Sequence, residues 1–210
     1  MGSPWKPALL AAFSLAVVAG PALAQKRRRI EFTPFVGGLI PTKQLGSIRV
    51  PGLGSTPISV TGEMLTAGGF GGRATVYGTG RLGVEGTYFM SGNDMRIAVG
   101  PFNRTFDANV QGGSVKAVFE ATTAGTGTDL VLSGGISGIQ HGGSAFQFAS
   151  DQFDIGGVVG GGLHIVMSPM VTLRFDGDLY VYQWSAGPGF GSRTQTDVMM
   201  TVGLGLRLGR

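Results

Sequence analysis

His141 is followed closely by two serines, and these are the residues whose types and spacing could support catalysis. Ser144 and Ser150 both lie in the segment after His141, and nucleophilic catalysis needs a serine hydroxyl that is hydrogen bonded to such a base. It also needs a third group that orients the base. No catalytic motif surrounds these residues, so the pattern favours a histidine at the rim of a domain, with catalysis as an alternative.

Other short motifs resemble cofactor or metal sites only superficially. Gly78, Gly80 and Gly83 match the spacing of a dinucleotide fingerprint, but an alternating segment follows them instead of a helix. Asp151 and Asp154 do not have the spacing of a calcium-binding loop. Two histidines without cysteine do not predict a transition-metal site either. We therefore expect no cofactor and no metal.

The composition is unusual for a soluble globular protein. Of 210 residues, 13% are charged and 39 are glycine, and the mean hydropathy is +0.23. No apolar run reaches the length of about 18 residues that a transmembrane helix needs. There is no cysteine, which excludes disulfide bonds and a thiol nucleophile.

The first 24 residues have the features of a secretory signal peptide. Lys6 precedes an apolar stretch, and Ala22-Leu23-Ala24 forms an A-x-A cleavage site. A basic segment, residues 25–29, follows the predicted cleavage site. Without Lys6 the 16 basic residues become 15, against 12 acidic ones. That surplus is too small to indicate a nucleic-acid partner.

Beyond residue 29 the sequence alternates between large apolar residues and small or charged ones. In the last segment the even positions from Val198 to Leu208 are apolar, whereas most odd positions are glycine, threonine or charged. Such alternation predicts a β-strand with one apolar face. Eight segments share the pattern, namely Ile30–Ile40, Gly69–Tyr77, Arg81–Met90, Ser114–Thr122, Leu130–Ile139, Ile155–Ile165, Val171–Tyr182 and Asp197–Arg210.

The predicted connections alternate in length. Short turns rich in glycine or proline lie at 78–80, 125–128 and 167–170. Long polar loops are expected at about 41–68, 91–113, 140–154 and 183–196. Short turns at one end and long loops at the other are typical of an outer-membrane barrel. The sequence therefore predicts an all-β fold, an eight-stranded antiparallel up-and-down transmembrane barrel spanning residues 30–210.

The charged residues of the strands lie on the face opposite the apolar one. A soluble barrel would need many long charged side chains on its outer face, yet Lys116 is the only lysine in a predicted strand. Reversing the faces would place Arg73, Lys116 and Arg174 in lipid, at a cost of about 2–4 kcal/mol each. We therefore predict a charge network in the barrel interior that contains Glu31, Arg73, Arg81, Glu85, Lys116, Glu120, His164, Arg174, Asp176, Asp178 and Arg207.

Two finer predictions concern strand ends and register. Aromatic residues at strand ends should form interfacial girdles, which we assign to Phe32, Tyr77, Trp184, Tyr88 and Phe89. A turn at 78–80 would place Tyr77 opposite Arg81, and hence Arg73 opposite Glu85.

The signal peptide, the eight alternating strands and the alternating connections resemble the small eight-stranded outer-membrane barrels, the OmpA/OmpX/OmpW-like porin-type superfamily. The resemblance implies a Gram-negative outer membrane, contact with its lipid, insertion by the barrel-assembly machinery and a monomer. Such barrels usually end in an aromatic residue, whereas this chain ends in Leu208-Gly209-Arg210.

A filled interior favours a structural role or a role in which the long loops bind an extracellular ligand. Eight strands leave an interior just wide enough for side chains to fill. The inward glycines Gly156, Gly160 and Gly162 leave space, so a small porin or a channel for small or hydrophobic solutes is the alternative. An outer-membrane lipid-modifying enzyme that uses His141 is the second alternative.

Overall fold

The computed structural model describes residues 29–42, 46–50, 58–78, 80–99, 101–122, 127–146, 153–184 and 193–208. The predicted signal peptide, Ser150, Asp151 and the chain end after Leu208 lie outside these residues. The described elements are β1 (Arg29–Pro41), β2 (Gly46–Val50), β3 (Ile58–Met64), β4 (Ala67–Tyr77), β5 (Leu82–Val99), β6 (Phe102–Glu120), β7 (Thr128–Gly142), the short 3-10 helix η1 (Ser144–Phe146), β8 (Phe153–Ser168), β9 (Val171–Trp184) and β10 (Arg193–Leu208).

Eight of these strands form a closed antiparallel barrel, as the sequence predicts. In the order β5-β4-β1-β10-β9-β8-β7-β6 each strand pairs with the next, and β5 also pairs with β6, which closes the ring. The first and last strands meet along a seam that includes Val36 opposite Val202. No helix in the described part of the chain is long and apolar enough to cross a membrane.

The alternating pattern places apolar side chains on the outside of the barrel. Phe32, Val36, Val84 and Leu204 are between 48% and 59% exposed, because successive residues of a strand point to opposite faces of the sheet. Within the barrel wall, charged residues of the same strands such as Glu31, Glu85 and Arg207 point inward. The predicted assignment of the two faces is therefore confirmed.

The predicted long loops contain more regular structure than their polar composition indicated. β5 and β6 continue past the barrel wall and pair residue by residue as far as Val99 opposite Phe102. β2 and β3 form a second hairpin, and β3 pairs with the extension of β5. The loops predicted at 41–68 and 91–113 are thus wrong over these residues, because backbone pairing with a neighbouring strand needs no apolar alternation once a strand has left the lipid.

The predicted register of the β4–β5 hairpin is also wrong, by two residues. Tyr77 pairs with Gly83 and Arg73 pairs with Thr87, so that Thr75 lies opposite Glu85. The cause is the connection, which continues to Arg81 before β5 begins at Leu82. A longer turn shifts every cross-strand pair and preserves the facing, because the shift is an even number of residues.

The interior contains apolar layers above and below its charged middle. The larger apolar cluster lies toward the loop end and includes Phe35, Phe89, Tyr182 and Trp184. The smaller cluster, Tyr77 with Val118 and Val131, lies toward the short turns. Of the five predicted girdle residues, only Phe32 and Tyr88 are exposed on the outside. The assignment is wrong for Tyr77, Phe89 and Trp184, because each has the inward position in the alternation of its strand.

Candidate functional site: a charged plug in the barrel interior

Most of the predicted interior charges lie in one buried layer, which we call the plug. It consists of Glu31, Arg73, Glu85, Lys116, His164, Arg174, Asp176, Asp178 and Arg207, whose side chains are at most 9% exposed. Eight strands enclose this layer, and only the alternation of each strand decides which of its side chains enter it. The plug is therefore built from one position each on β1, β4, β5, β6, β8 and β10 and from three positions on β9.

Glu85 is contacted by three cationic side chains. Its carboxylate lies 2.8 Å from Arg174 Nη2, 3.0 Å from Lys116 Nζ and 3.8 Å from Arg73 Nε. Thr75 Oγ1, directly opposite on β4, donates a hydrogen bond to it at 2.8 Å. A buried carboxylate is tolerated only when it is paired and hydrogen bonded in this way.

Asp176 and Asp178 on β9 accept hydrogen bonds from side chains on other strands. Arg73 on β4 donates to both carboxylates, with 2.9 Å between its Nη2 and Asp178 Oδ2. Lys116 Nζ on β6 lies 2.8 Å from Asp178 Oδ1, and His164 Nε2 on β8 lies 3.0 Å from Asp176 Oδ1. These contacts join three strands to β9 across the interior.

Glu31 connects the plug to the short-turn end. It accepts a hydrogen bond from Arg174 Nη1 at 3.1 Å and one from Arg207 Nε at 2.9 Å. Arg207 Nη2 also lies 3.6 Å from Asp129, an interior acid that the sequence analysis missed. Asp129 has the same inward parity as Val131 and Ser133 on β7, and that parity would have identified it.

Two predicted members of the network lie outside the plug. Glu120 pairs with Arg29 at the short-turn end, where the Arg29 guanidinium also lies 3.9 Å from the centre of the Tyr77 ring. Arg81 is exposed in the connection before β5. The predicted inward position of Arg81 is therefore corrected, because its strand begins one residue later.

The inward glycines of β8 provide the space that the acidic side chains occupy. A Cβ atom at Gly160 would collide with Asp178 Oδ1, and one at Gly162 would collide with Asp176 Oδ1. A Cβ atom at Gly156 would collide with the backbone oxygen of Val181 and with the side chain of Tyr182. The space that the sequence left open for a water-lined path is thus filled by side chains from β9.

The plug is close to electrical balance. Its acids, with Asp129, are Glu31, Glu85, Asp129, Asp176 and Asp178, and its permanent cations are Arg73, Lys116, Arg174 and Arg207. His164 supplies a further polar contact. Breaking such a buried network by removing one partner is costly, because the other charge is left in a medium of low dielectric constant. The arrangement can therefore hold the strands together and close the interior.

Of the residues considered for catalysis, His141 and Ser144 do not contact each other through their side chains, and Ser150 lies outside the described residues. His141 is buried, and its Nε2 atom lies 3.2 Å from the Tyr182 hydroxyl. The Ser144 hydroxyl donates to the backbone carbonyl of Asp107 instead. In the described residues, no group of three or more histidine, aspartate or glutamate side chains is arranged to hold a metal ion.

Comparison with known proteins supports the fold. No protein-family model matches the chain, and comparison by sequence with characterised proteins finds no significant match. Several solved structures are similar. They include outer membrane protein OprG from Pseudomonas aeruginosa (TM-score 0.65, 12% identity, 89% of this chain and 98% of that one), outer membrane protein AlkL in lipid bilayers (0.56, 11%, 90% and 95%) and Neisserial surface protein A (0.51, 15%, 86% and 97%).

These likenesses and the closed ring agree on one architecture. The chain has the fold of the small eight-stranded outer-membrane β-barrels. At this level of identity the likeness concerns the fold alone, and role and substrate must be argued from the chain's own residues.

Proposed function

We propose that this protein is a bacterial outer-membrane β-barrel with a structural role or a role in surface binding, and that its interior is closed along the barrel axis. The observation that carries the proposal is the ion pair between Arg174 on β9 and Glu85 on β5. These strands are four positions apart in a ring of eight, so the pair spans the full width of the interior. Arg73 and Lys116 reach β9 from two further strands.

A plug of this kind opposes conduction. An ion or a polar solute that moves along the axis would have to separate buried ion pairs, each of which costs several kcal/mol to break. In the layer above, the buried side chains of Phe35, Phe89 and Trp184 belong to one packed apolar cluster. Charged and apolar layers together therefore leave little room for transport.

Conductance measurements on the refolded full chain in planar lipid bilayers test this role. We expect no discrete openings from the unmodified protein, whereas regular single-channel steps would contradict the proposal. Replacing both partners of the spanning pair, Arg174→Ala with Glu85→Ala, should raise conductance by removing part of the plug. The matched control is Arg96→Ala with Glu63→Ala, which removes an exposed ion pair of 3.0 Å outside the barrel and should leave conductance unchanged.

We further propose that the hairpin formed by the extensions of β5 and β6, here called the ribbon, lies on the cell surface and that the short turns face the periplasm. The support is the barrel layout, since outer-membrane barrels have short periplasmic turns and longer extracellular connections. The chain has no native cysteine, so one introduced cysteine is a unique label. A membrane-impermeant maleimide should label Phe102→Cys on intact cells and should label Met170→Cys only after the outer membrane is opened. Labelling of Met170→Cys on intact cells, with Phe102→Cys labelled only after the outer membrane is opened, would contradict this orientation.

A channel for small hydrophobic solutes is the second candidate, and the apolar cluster above the plug is the observation that favours it. Its side chains, Phe35, Phe89 and Trp184 among them, are packed against one another, so a solute would have to displace them. Uptake of a hydrophobic dye into proteoliposomes distinguishes the two functions. Uptake faster than into protein-free liposomes would favour the channel.

A further inference from the structure

A second cluster of polar side chains lies at the loop end of the interior, apart from the plug. We call it the outer cluster. It consists of His141 from β7, Asp154 from β8, Tyr182 from β9, and Gln195 with Asp197 from β10. Four of these residues are at most 3% exposed, and the side chain of Asp154 is 10% exposed.

The hydrogen bonds of Tyr182 restrict where protons can be. The Tyr182 hydroxyl lies 2.6 Å from Asp197 Oδ2 and 3.2 Å from His141 Nε2. A phenol has a single proton to donate. If Tyr182 donates that proton to the ionised Asp197, the other contact exists as a hydrogen bond only when His141 Nε2 carries a proton.

The opposite side of the imidazole ring adds a second restriction. His141 Nδ1 lies 3.5 Å from Asp154 Oδ2, and neither atom has another hydrogen-bond partner among the described residues. With its one proton on Nε2, a neutral imidazole would direct a lone pair at a carboxylate oxygen. A proton on Nδ1 turns this contact into an attractive one.

We propose that the outer cluster binds one additional proton. The reference is a cluster in which His141 is a neutral imidazole, Tyr182 is a neutral phenol, and Asp154 and Asp197 are both ionised. In one arrangement His141 is an imidazolium ion between two aspartates. In a second, His141 Nε2 has given a proton to the Tyr182 oxygen, Tyr182 has given its own proton to Asp197, and Asp197 is a neutral acid. In a third, His141 is neutral with its proton on Nε2, and Asp154 is a neutral acid that donates its proton to Nδ1. All three arrangements contain the same number of protons and satisfy every contact.

Among the described residues the cluster has no other source of positive charge. In the described part of the chain no lysine or arginine forms an ion pair with Asp154 or Asp197. On β6 the residue opposite His141 is Val110, and from η1 the Phe146 ring lies 5.3 Å from the imidazole centre; neither titrates. Buried carboxylates are retained when they are paired or protonated, and the additional proton meets that requirement.

The bound proton makes the outer end sensitive to pH. The cluster connects four consecutive strands of the wall, β7 to β10. A histidine in an unfolded chain loses its proton at about pH 6.5. Above that pH the folded protein holds a proton that the unfolded chain does not, so stability falls as pH rises. We therefore expect the outer ends of these strands to loosen at alkaline pH.

Nuclear magnetic resonance of the full chain in lipid nanodiscs tests the proton count directly. The chain has only two histidines, and comparison with His141→Asn assigns the resonances of His141. At neutral pH we expect either both ring nitrogens protonated with both aspartates ionised, or one ring nitrogen protonated with Asp154 or Asp197 neutral. A neutral imidazole together with ionised Asp154 and ionised Asp197 would overturn the proposal.

The pH dependence of stability provides a second readout that a purely structural role would not change. The urea midpoint of the unmodified protein should fall from neutral to alkaline pH. Tyr182→Phe keeps the aromatic ring and removes the hydroxyl that joins His141 to Asp197, so its midpoint should depend less on pH over that range. Equal slopes for the two proteins would contradict the proposal, even if Tyr182→Phe is less stable at every pH.

Discussion

Arg174 Nη2 and Glu85 Oε2 lie 2.8 Å apart, although β9 and β5 stand on opposite sides of the ring. The ion pair therefore connects opposite walls of the barrel across its interior. Both residues are also bonded to neighbours on other strands, Arg174 to Glu31 and Glu85 to Lys116. Removing either end therefore takes one partner away from several buried charges at once.

Neutralising Glu85 should destabilise the barrel strongly. In Glu85→Gln three cations lose a common carboxylate, and we expect the free energy of unfolding to fall by about 3–5 kcal/mol, measured by urea titration in lipid vesicles. The matched control is Glu63→Gln. Its carboxylate forms an exposed pair with Arg96, so its loss should cost at most about 1 kcal/mol. Similar losses in the two variants would show that the plug does not support the fold.

Exchanging the charges of Arg73 and Glu85 should fail to restore stability. The two side chains are only loosely in contact, at 3.8 Å, whereas Arg73 Nη2 lies 2.9 Å from Asp178. A glutamate at position 73 would face the two aspartates of β9, and like charges in a buried site repel. We expect Arg73→Glu with Glu85→Arg to be no more stable than the less stable single reversal. Recovery of most of the loss in urea midpoint would mean that the two form an isolated pair.

A methyl group at Gly162 should disturb the plug. Its Cβ atom would collide with the carboxylate of Asp176, which receives hydrogen bonds from Arg73 and His164. We expect Gly162→Ala to lower stability by about 1–3 kcal/mol through overpacking. Gly161→Ala is the control on the same strand. Its Cβ atom would point outward and meet the nearest atom, a backbone oxygen of Val131, at 3.5 Å. Equal urea midpoints for the two variants would contradict the packing described for β8.

The fluorescence of Trp184 should show that its side chain lies in the barrel interior and not in contact with lipid. It is 8% exposed and belongs to the apolar cluster that contains Phe35 and Tyr182. In a Trp5→Phe background it is the only tryptophan. We expect blue-shifted emission that lipids with brominated chains hardly quench. Val36→Trp, in a Trp5→Phe and Trp184→Phe background, places the reporter on an outward position 59% exposed in the native protein and should be quenched strongly. Equal quenching would place Trp184 on the lipid side.

The facing of the strands could be predicted from the sequence because it depends only on alternation. In each strand the residues at i, i+2 and i+4 share a face, and the large cost of a charge in lipid decides which face is outside. Nine of the eleven predicted interior charges therefore lie in the plug. The two exceptions, Glu120 and Arg81, lie at the short-turn end, where alternation alone does not tell how far the interior extends.

Which interior charges form ion pairs with each other was decided only by the closed barrel. Arg73 and Asp178 are 105 residues apart, and Arg174 and Glu31 are 143 apart. No local pattern relates such positions, because their distance depends on how far each strand is staggered against the next around the ring. The two-residue error in the β4–β5 register shows the same limit, since one longer turn moves every pair.

The sequence by itself thus determined the number of barrel strands, their apolar outer face and the charged character of the interior, since each depends on the order of residues along single strands. The ribbon, the apolar layer that contains Trp184, and the outer cluster were decided by tertiary structure. His141, Tyr182 and Asp197 belong to three different strands. Their contact has a physical meaning only once closure of the ring places them in one dry interior, where an unpaired charge is costly.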